Sequence, residues 1–459
     1  MNQVDRHKDF HHALTVYNEL CTGCTHCMSV CPTKAIRVSK GKARIIASKC
    51  VDCGNCYKAC PVSAIQIEHD DLNMIFNYSV RVILIPSVLI GQFSEKAIPS
   101  GIYRALKEIG FTHVYQVENS VSMVLEAYSE YSGIEPVRPL ISSFCPAIVR
   151  LIQVKHPLLV GNLMKVNPPI DMSALYYREK LKAEGIAPEE IGIFYATPCA
   201  AKVAAIKSPV GGNESGINGV INMNQLYNRI QKFLRTGKND TELPQTDDLL
   251  GPEGIMWSLT GGEMAHSNGR ALAIDGMSNV SEILESVENE KLGGIDFLEL
   301  RACDESCAGG ILVNANRFLV VEKLRNMAAS YKDRSPEELP EAFSQLKEHS
   351  YLGNIEPRPI EKLDEDIQAA LRKMERKRRL MCFLPGFDCG ACGAPDCQTL
   401  AEDVVQGKAQ ISHCIFMQQQ MINQNLLSQE KAYMITEDVW GKERLEKNCN
   451  KIGAEDENI

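Results

Sequence analysis

Eight, four and four of the eighteen cysteines in this chain fall into three groups whose spacing allows thiolate ligation of iron. Residues 21–32 read CTGCTHCMSVCP and residues 50–61 read CVDCGNCYKACP. Both follow C-x2-C-x2-C-x3-C-P. At that spacing the first three thiolates of a run wrap one 4Fe–4S cluster, and the fourth crosses to the cluster of the other run. Cys21, Cys24, Cys27 and Cys60 are therefore expected on one cluster, and Cys50, Cys53, Cys56 and Cys31 on a second. Pro32 and Pro61 lack the N–H that would compete for position. A zinc site is the alternative, and two full copies of the run argue against it. His26 lies inside the first run, but the thiols already suffice, so it is expected to be a solvent-side neighbour.

The second group is scattered. Cys145 stands in SSFCPAIVRLI, Cys199 in TPCAAK, and Cys303 and Cys307 in RACDESCAGG. Singly, each could be an inert buried thiol. Together, with prolines at strand ends and with Gly309 and Gly310 beside them, they suit one more 4Fe–4S cluster where loops converge. The third group is Cys389, Cys392, Cys397 and Cys414. There a Gly-rich loop supplies three thiolates and a helix over CQTLAEDVVQGKA brings back the fourth; a zinc knuckle is the bland alternative. Cys382 and Cys449 have no partner at ligand spacing and are expected to be free thiols.

The elements that must position these thiols are partly visible. AIRVSKGKARIIA, between the two runs, has the pattern of a β-hairpin. VRVILIPSVLIG reads as a buried strand entering a loop. GIYRALKEIG and SVSMVLEAYSEYSG read as helices, and IGIFYATPCAAK as a strand leading into a helix, an α/β alternation. The expected class is a multidomain α+β and α/β protein. A dicluster domain spans 12–72, a two-lobed α/β domain 78–355, a small helical Cys-rich domain 378–420 and a helical tail 421–459. A chain of 459 residues has room for this. The helix over 362–380 leads with acids and trails with bases, and its run Arg376 to Arg379 is read as a solvated helix end rather than a nucleic-acid patch. Net charge is −9, which gives no reason to expect nucleic acid. Apolar runs are too short to span a bilayer, and the first residues lack a signal-peptide core. The chain is read as cytoplasmic, where so many cysteines mean metal or redox work rather than disulfides.

The paired runs are those of bacterial ferredoxins. SSFCP, TPCAAK and ELRACDESCAGG resemble the Thr-Ser-Cys-Cys-Pro, Met-Pro-Cys-x-x-Lys and Glu-x-Met-Ala-Cys-x-x-Gly-Cys-x-Gly-Gly loops of the FeFe-hydrogenase catalytic domain, in the right order. Leu259 to Glu263 (LTGGE) and the Pro86-Ser87 pair support the match. The resemblance implies an H-cluster, a cubane joined through one cysteine to a two-iron unit carrying CO, cyanide and a dithiolate amine. It implies Cys145, Cys199 and Cys303 on the cubane, Cys307 as the bridge, Lys202 donating to a cyanide, and Ser87 with the Pro86 backbone at the two-iron ligands. The third group resembles the 4Fe–4S domain of the corrinoid iron–sulfur protein and of RNF-type electron-transport subunits.

Several positions depart from that family. Phe144 stands where catalytic members carry a proton-shuttling cysteine, and its ring neither donates nor accepts a proton. By the same resemblance Glu126 is the inner glutamate of the proton path. Ser129, with Glu130 adjacent, stands where a second acid is usual, and Met164 where a serine is usual. Ile170 and Arg301 replace a glutamine and a methionine near the two-iron site. The expectation is a divergent, sensory or regulatory FeFe-hydrogenase that splits or senses hydrogen at low turnover and passes electrons through 4Fe–4S clusters. An ordinary ferredoxin-dependent hydrogenase with another proton path, through water or Arg301, is the first alternative. A non-catalytic iron–sulfur scaffold without the two-iron unit is the second. Expected partners are hydrogen and protons, a ferredoxin or other iron–sulfur redox protein, and a signalling partner at the C-terminal tail. The clusters suit an anaerobic organism.

Overall fold

The structure, a computed structural model, describes residues 10–94, 99–212, 215–235, 251–331, 346–358 and 363–446. Cys449 and the end of the tail lie outside the described residues. The chain groups into two compact units. One comprises residues 14–50, 55–66 and 359–459; the other comprises residues 1–13, 51–54 and 67–358. The first and third modules of the sequence therefore share one unit, and the tip of the second cysteine run, Val51–Gly54, groups with the α/β body.

In the smaller unit β1 (Leu14–Val16) pairs with the returning strand β4 (Ile65–Ile67). Between them the expected hairpin forms from β2 (Ile36–Ser39) and β3 (Lys42–Ile45), antiparallel, with Ile36 opposite Ile45. The C-terminal elements build onto that hairpin. A helix over Ile367–Phe383 starts at Asp366, whose carboxylate accepts from Ala369 N at 2.7 Å. A second helix, Cys397–Val405, is capped in the same way by Asp396, which accepts from Thr399 N at 2.7 Å. Such caps satisfy amides that the helix itself leaves unpaired. Val38 N donates to Gly393 O at 2.8 Å, and Lys40 N and Gly41 N donate to Asp438 O and Val439 O at 2.7 and 3.0 Å. The helix Gln429–Trp440 packs on its own unit through Ala432 and Val439. Three ion pairs join the parts: Arg37 with Asp403 at 2.6 Å, Lys49 with Glu402 at 2.8 Å, and Lys34 with Asp396.

The larger unit contains two parallel sheets. Strands β5 (Val80–Ile85), β6 (His113–Gln116), β8 (Ile191–Thr197) and β9 (Gly219–Asn222) form one, in the order β6-β5-β8-β9; β7 (Leu140–Ile141), β10 (Ala271–Asp275) and β11 (Phe297–Arg301) form the other, in the order β10-β11-β7. β5 and β8 are almost continuous apolar runs because both their faces are covered, and β11 is buried throughout although it carries Glu299 and Arg301. The C-terminal ends of β5, β8 and β11 run straight into Pro86-Ser87, Pro198-Cys199 and Ala302-Cys303, which brings the scattered motif loops to strand ends. Asp52, fully buried, is held in this unit by Arg150 at 2.6 Å, His12 at 2.9 Å and Ala13 N at 3.1 Å.

Arg37 and Asp403 are only 9% and 11% exposed, so removing one charge strands the other in a poorly solvated place. Arg37→Met is expected to lower the unfolding free energy of the smaller unit by about 3–5 kcal/mol. A thermal melt matching that of the parent chain would contradict it.

Candidate metal centre

Two of the predicted thiol sets converge in full. Cys21, Cys24, Cys27 and Cys60 line one small cavity of the smaller unit. Cys389, Cys392, Cys397 and Cys414 line another. The second run is marked electrostatically: Cys50 and Cys31 both push the Cys56 thiol up, after burial itself. Burial likewise lifts Cys27 and Cys392 to about 11 each, with neighbouring thiols adding to it. Such thiols are neutral at pH 7 unless a metal displaces the proton. The repeat is visible in amide donors as well. Ala35 N points at Cys31 Sγ and Ala64 N at Cys60 Sγ, both at 3.2 Å and both four residues on. His26 is exposed, as expected, and Cys382 is an exposed thiol within 3.6 Å of Arg378 O.

In the larger unit Cys145 is the N-cap of a helix over Pro146–Lys155, with Pro146 at its first position. Cys199 is the N-cap of the helix Ala200–Lys207. Helix N-termini favour a thiolate. Cys303 follows β11, and Cys307 lies in a 3-10 turn over Ser306–Gly309. Burial raises the Cys145 and Cys199 thiols, Cys199 to about 12; Lys202 pulls Cys199 down, while Cys307 adds to both and Cys145 to Cys199. The loops pack backbone to backbone. A Cβ on Gly309 would stand 1.9 Å from Asp304 O, and one on Gly310 2.7 Å from Pro198 O. The Gly-Gly segment is therefore explained by loop packing, and it does not by itself argue for a two-iron unit.

Two cations converge on Phe144. The Lys202 ammonium lies 4.6 Å from its ring centroid and the Arg301 guanidinium 3.9 Å. Lys202 Nζ also reaches Tyr195 OH at 3.4 Å and Cys307 Sγ at 3.8 Å. Burial works against its charge, but Cys307, Tyr195 and Cys199 outweigh that and raise its pKa. Arg301, 2% exposed, pairs with Glu263 at 2.5 Å and Glu299 at 3.2 Å, and donates to Trp257 O at 3.1 Å. Glu299 in turn accepts from Gly261 N, Glu263 N and Met264 N at 2.9–3.0 Å, so the glutamate of the third motif holds the LTGGE loop.

Beside Phe144 and Lys202 opens a cavity of about 380 Å³, lined also by Pro86, Glu118, Asp171 and Trp257. Ser87 is fully buried next to it. Glu118 is 3% exposed; its Oε1 accepts from Ser87 N at 2.8 Å and Ser258 Oγ at 2.7 Å. Its Oε2 has no hydrogen-bond partner among the described residues, and burial raises the carboxyl above the usual range. Glu118 and Asp171 carry no motif signal, and sequence reasoning missed both.

Glu126 is a correction. It is exposed and pairs with Lys347 at 3.1 Å, not with anything in the cavity. On the helix Val121–Ile134 positions 121, 123, 124 and 127 face inward, and Tyr128, not Glu126, reaches the site by donating to Glu263 at 3.0 Å. Ser129 is exposed, and Glu130 pairs with the same Lys347 at 2.5 Å. Met164 is fully buried, and Ile170 lines the cavity. Arg301 is paired with two carboxylates and keeps its charge, so it does not release a proton.

The residues fit the group that this arrangement suggests. Three mutually coupled thiols, two buried cations, and the unpartnered donors Arg301 Nη1 and Trp257 Nε1 suit a thiolate-bound ligand rich in acceptors. Residues 79–264 match the family "Iron only hydrogenase large subunit, C-terminal domain", residues 14–61 the "4Fe-4S dicluster domain", and residues 384–416 the family described as "Putative Fe-S cluster". Residues 79–264 are thus similar to an iron-only hydrogenase domain, and the segments on either side to iron–sulfur domains. The hydrogenase-like domain is similar to solved FeFe-hydrogenases. A structure of HydA(deltaEFG), on stepwise H-cluster assembly, is 14% identical over 63% of this chain and 98% of that one, with a TM-score of 0.47. A variant of HydA1 from Chlamydomonas reinhardtii is 16% identical over the same shares, also at 0.47. A structure on oxygen inactivation of the H cluster is 14% identical over 61% and 94%, at 0.46. No match was found among curated proteins. Among the described residues, no helix of the hydrogenase-like domain or of the rest of the chain is long and apolar enough to cross a membrane.

Burial pushes the Asp171 carboxyl from 3.8 up to about 6, with Lys202 pulling the other way. The folded state then binds this proton more tightly than the unfolded state, so stability is full below pH 3.8 and falls as pH rises through about 6. Asp171→Asn is expected to remove that slope, worth at most about 3 kcal/mol, in denaturant titrations across this range. An unchanged slope would show that the carboxyl is not desolvated.

Proposed function

We propose that the chain handles dihydrogen at low turnover, as a divergent FeFe-hydrogenase of sensory or regulatory kind. Cys145, Cys199 and Cys303 would hold a cubane, and Cys307 would bridge it to a two-iron unit facing the cavity beside Phe144. When bound, that unit supplies reversible splitting of dihydrogen into two protons and two electrons. The chain's own residues do the rest. Lys202, charged and 3.8 Å from Cys307 Sγ, compensates thiolate charge and is placed to donate to an acceptor ligand. Ser87 and the Pro86 backbone offer polar contacts from the other loop. Trp257 and Ile170 exclude water from part of the wall.

The observation that carries the reading is Phe144. Its ring fills the place beside the site and binds two cations, but it transfers no proton. General acid–base groups contribute on the order of 10² to 10⁴ in rate, so a site without one there keeps binding while losing turnover. The smaller unit would carry the electrons. Its two ferredoxin clusters and the C-terminal cluster would form one conductor, because the domains share hydrogen bonds and ion pairs and because Met28, next to Cys27, packs at Gly390, next to Cys389. A ferredoxin-like carrier is the natural redox partner.

Two measurements test this. Matured protein should show infrared bands of CO and cyanide, and Phe144→Cys should raise hydrogen evolution at least about tenfold without altering those bands. Bands together with high activity in the parent chain would remove the low-turnover reading. Absence of bands would favour the iron–sulfur scaffold. Separately, replacing Cys389, Cys392, Cys397 and Cys414 by serine should lower bound iron by about four atoms per chain. Unchanged iron would show that these thiols hold no cluster.

A further inference from the structure

The cavity offers a way for protons that does not pass through position 144. Its titratable lining grades from interior to solvent. Glu118 is buried, Asp171 half-buried at the start of the helix Pro169–Ala183, and Glu348 and His349 exposed at the outer end. Lys202, Arg150, Arg178, Tyr195 and Tyr351 are the other titratable groups on the wall. None of the five is suited to carry a proton at neutral pH. Lys202 is held charged by its neighbours and Tyr195 is held neutral, chiefly by burial. Tyr351 is fixed on Glu130 at 2.9 Å, and the arginines do not deprotonate. The carboxyls and, at the exposed outer end, His349 are left.

Glu118 is the one set against the reacting region. A 3-10 turn after β6 carries it, and its Oε1 bridges two loops: the Pro86-Ser87 turn through Ser87 N, and the segment before the third motif through Ser258 Oγ. The carbonyl of Ser258 accepts from Cys307 N at 3.3 Å, so Glu118 is tied to both loops that would flank the two-iron unit. Its Oε2 is buried and unpartnered, and its side chain lines the cavity that Phe144 lines. A carboxyl with one oxygen anchored and the other bare is built to carry a proton on the bare oxygen. Burial also raises this carboxyl above the usual carboxylate range, which favours its protonated form.

We infer that Glu118 holds and exchanges the proton of the two-iron site in this chain, and that the proton reaches solvent through the cavity by way of Asp171. The inference rests on the hydrogenase reading above. The step is a proton transfer alone. The Oε2–H bond breaks, the proton passes to the base at the site, and the carboxylate left behind is stabilised by the donors Ser87 N and Ser258 Oγ. A proton from Asp171, relayed by cavity water, restores the acid, and electrons leave separately through the clusters.

Glu118→Gln keeps an oxygen for both donors but carries no acid proton, and it should be tested in the matured full-length protein. The expected result is loss of one carboxylic C=O band from the redox-induced infrared difference spectrum, with CO and cyanide bands retained. Hydrogen–deuterium exchange should also slow by roughly 10²-fold or more. Asp171→Asn should slow the exchange while leaving the Glu118 band in place. Retained CO and cyanide bands with a parental exchange rate in Glu118→Gln would overturn the role of Glu118 alone. Absence of those bands from the parent chain would overturn the hydrogenase reading and this inference with it.

Discussion

Buried sulfur needs buried positive charge, and the site of this protein is organised by that requirement. Thiols at Cys145 and Cys199 are driven towards the neutral form chiefly by burial, with Cys307 adding to it. Iron would reverse this, and the nearest fixed cations are Lys202 and Arg301, both closed in by the fold. Neither cation is bare. Lys202 leans on Tyr195 and Phe144, and Arg301 on Glu263, Glu299 and Phe144. Phe144 is thus more than the absence of a cysteine. Its ring is the surface on which the two cations rest, and Arg301, another departure from the family pattern, is its partner. The two replacements form one packing arrangement, and together they exchange a titratable thiol for a fixed, non-titrating neighbourhood.

The same logic of compensated burial operates in the smaller unit. There the acids Asp396, Glu402 and Asp403, all at or in one helix, meet the bases Lys34, Lys49 and Arg37 of the ferredoxin segment. Isolated surface pairs would contribute little. The Arg37–Asp403 pair is different because it is largely enclosed and bidentate, at 2.6 and 3.2 Å. Backbone hydrogen bonds from the hairpin to Gly393, Asp438 and Val439 fix the register of the contact. The C-terminal cysteine group is consequently packed into one unit with the ferredoxin-like segment.

Much of this is legible in the amino-acid sequence alone. Cysteine spacing is a local property, and the first ferredoxin set and the C-terminal set each line a cavity of their own. Pro146 after Cys145 and Asp396 before Cys397 announce helix starts that the fold contains. What the sequence hides is tertiary. The place of Glu126 in the chain points to an inner acid, yet a shift of two residues round a helix puts Tyr128 inside and Glu126 in solvent. Glu118 gives no signal because its partners, Ser87 and Ser258, lie 31 and 140 residues away. The docking of the C-terminal group depends on a pair separated by 366 residues. The charge pattern of CQTLAEDVV against the bases of the ferredoxin hairpin is the one available hint.

All of this presumes that the cation-flanked pocket beside Phe144 receives a two-iron unit in addition to cubanes. Mössbauer spectroscopy of ⁵⁷Fe-labelled, fully matured protein addresses that most directly. A low-spin two-iron component should appear beside the signals of 4Fe–4S clusters, and it should vanish in Cys307→Ala. A spectrum made up of cubane signals alone would contradict it.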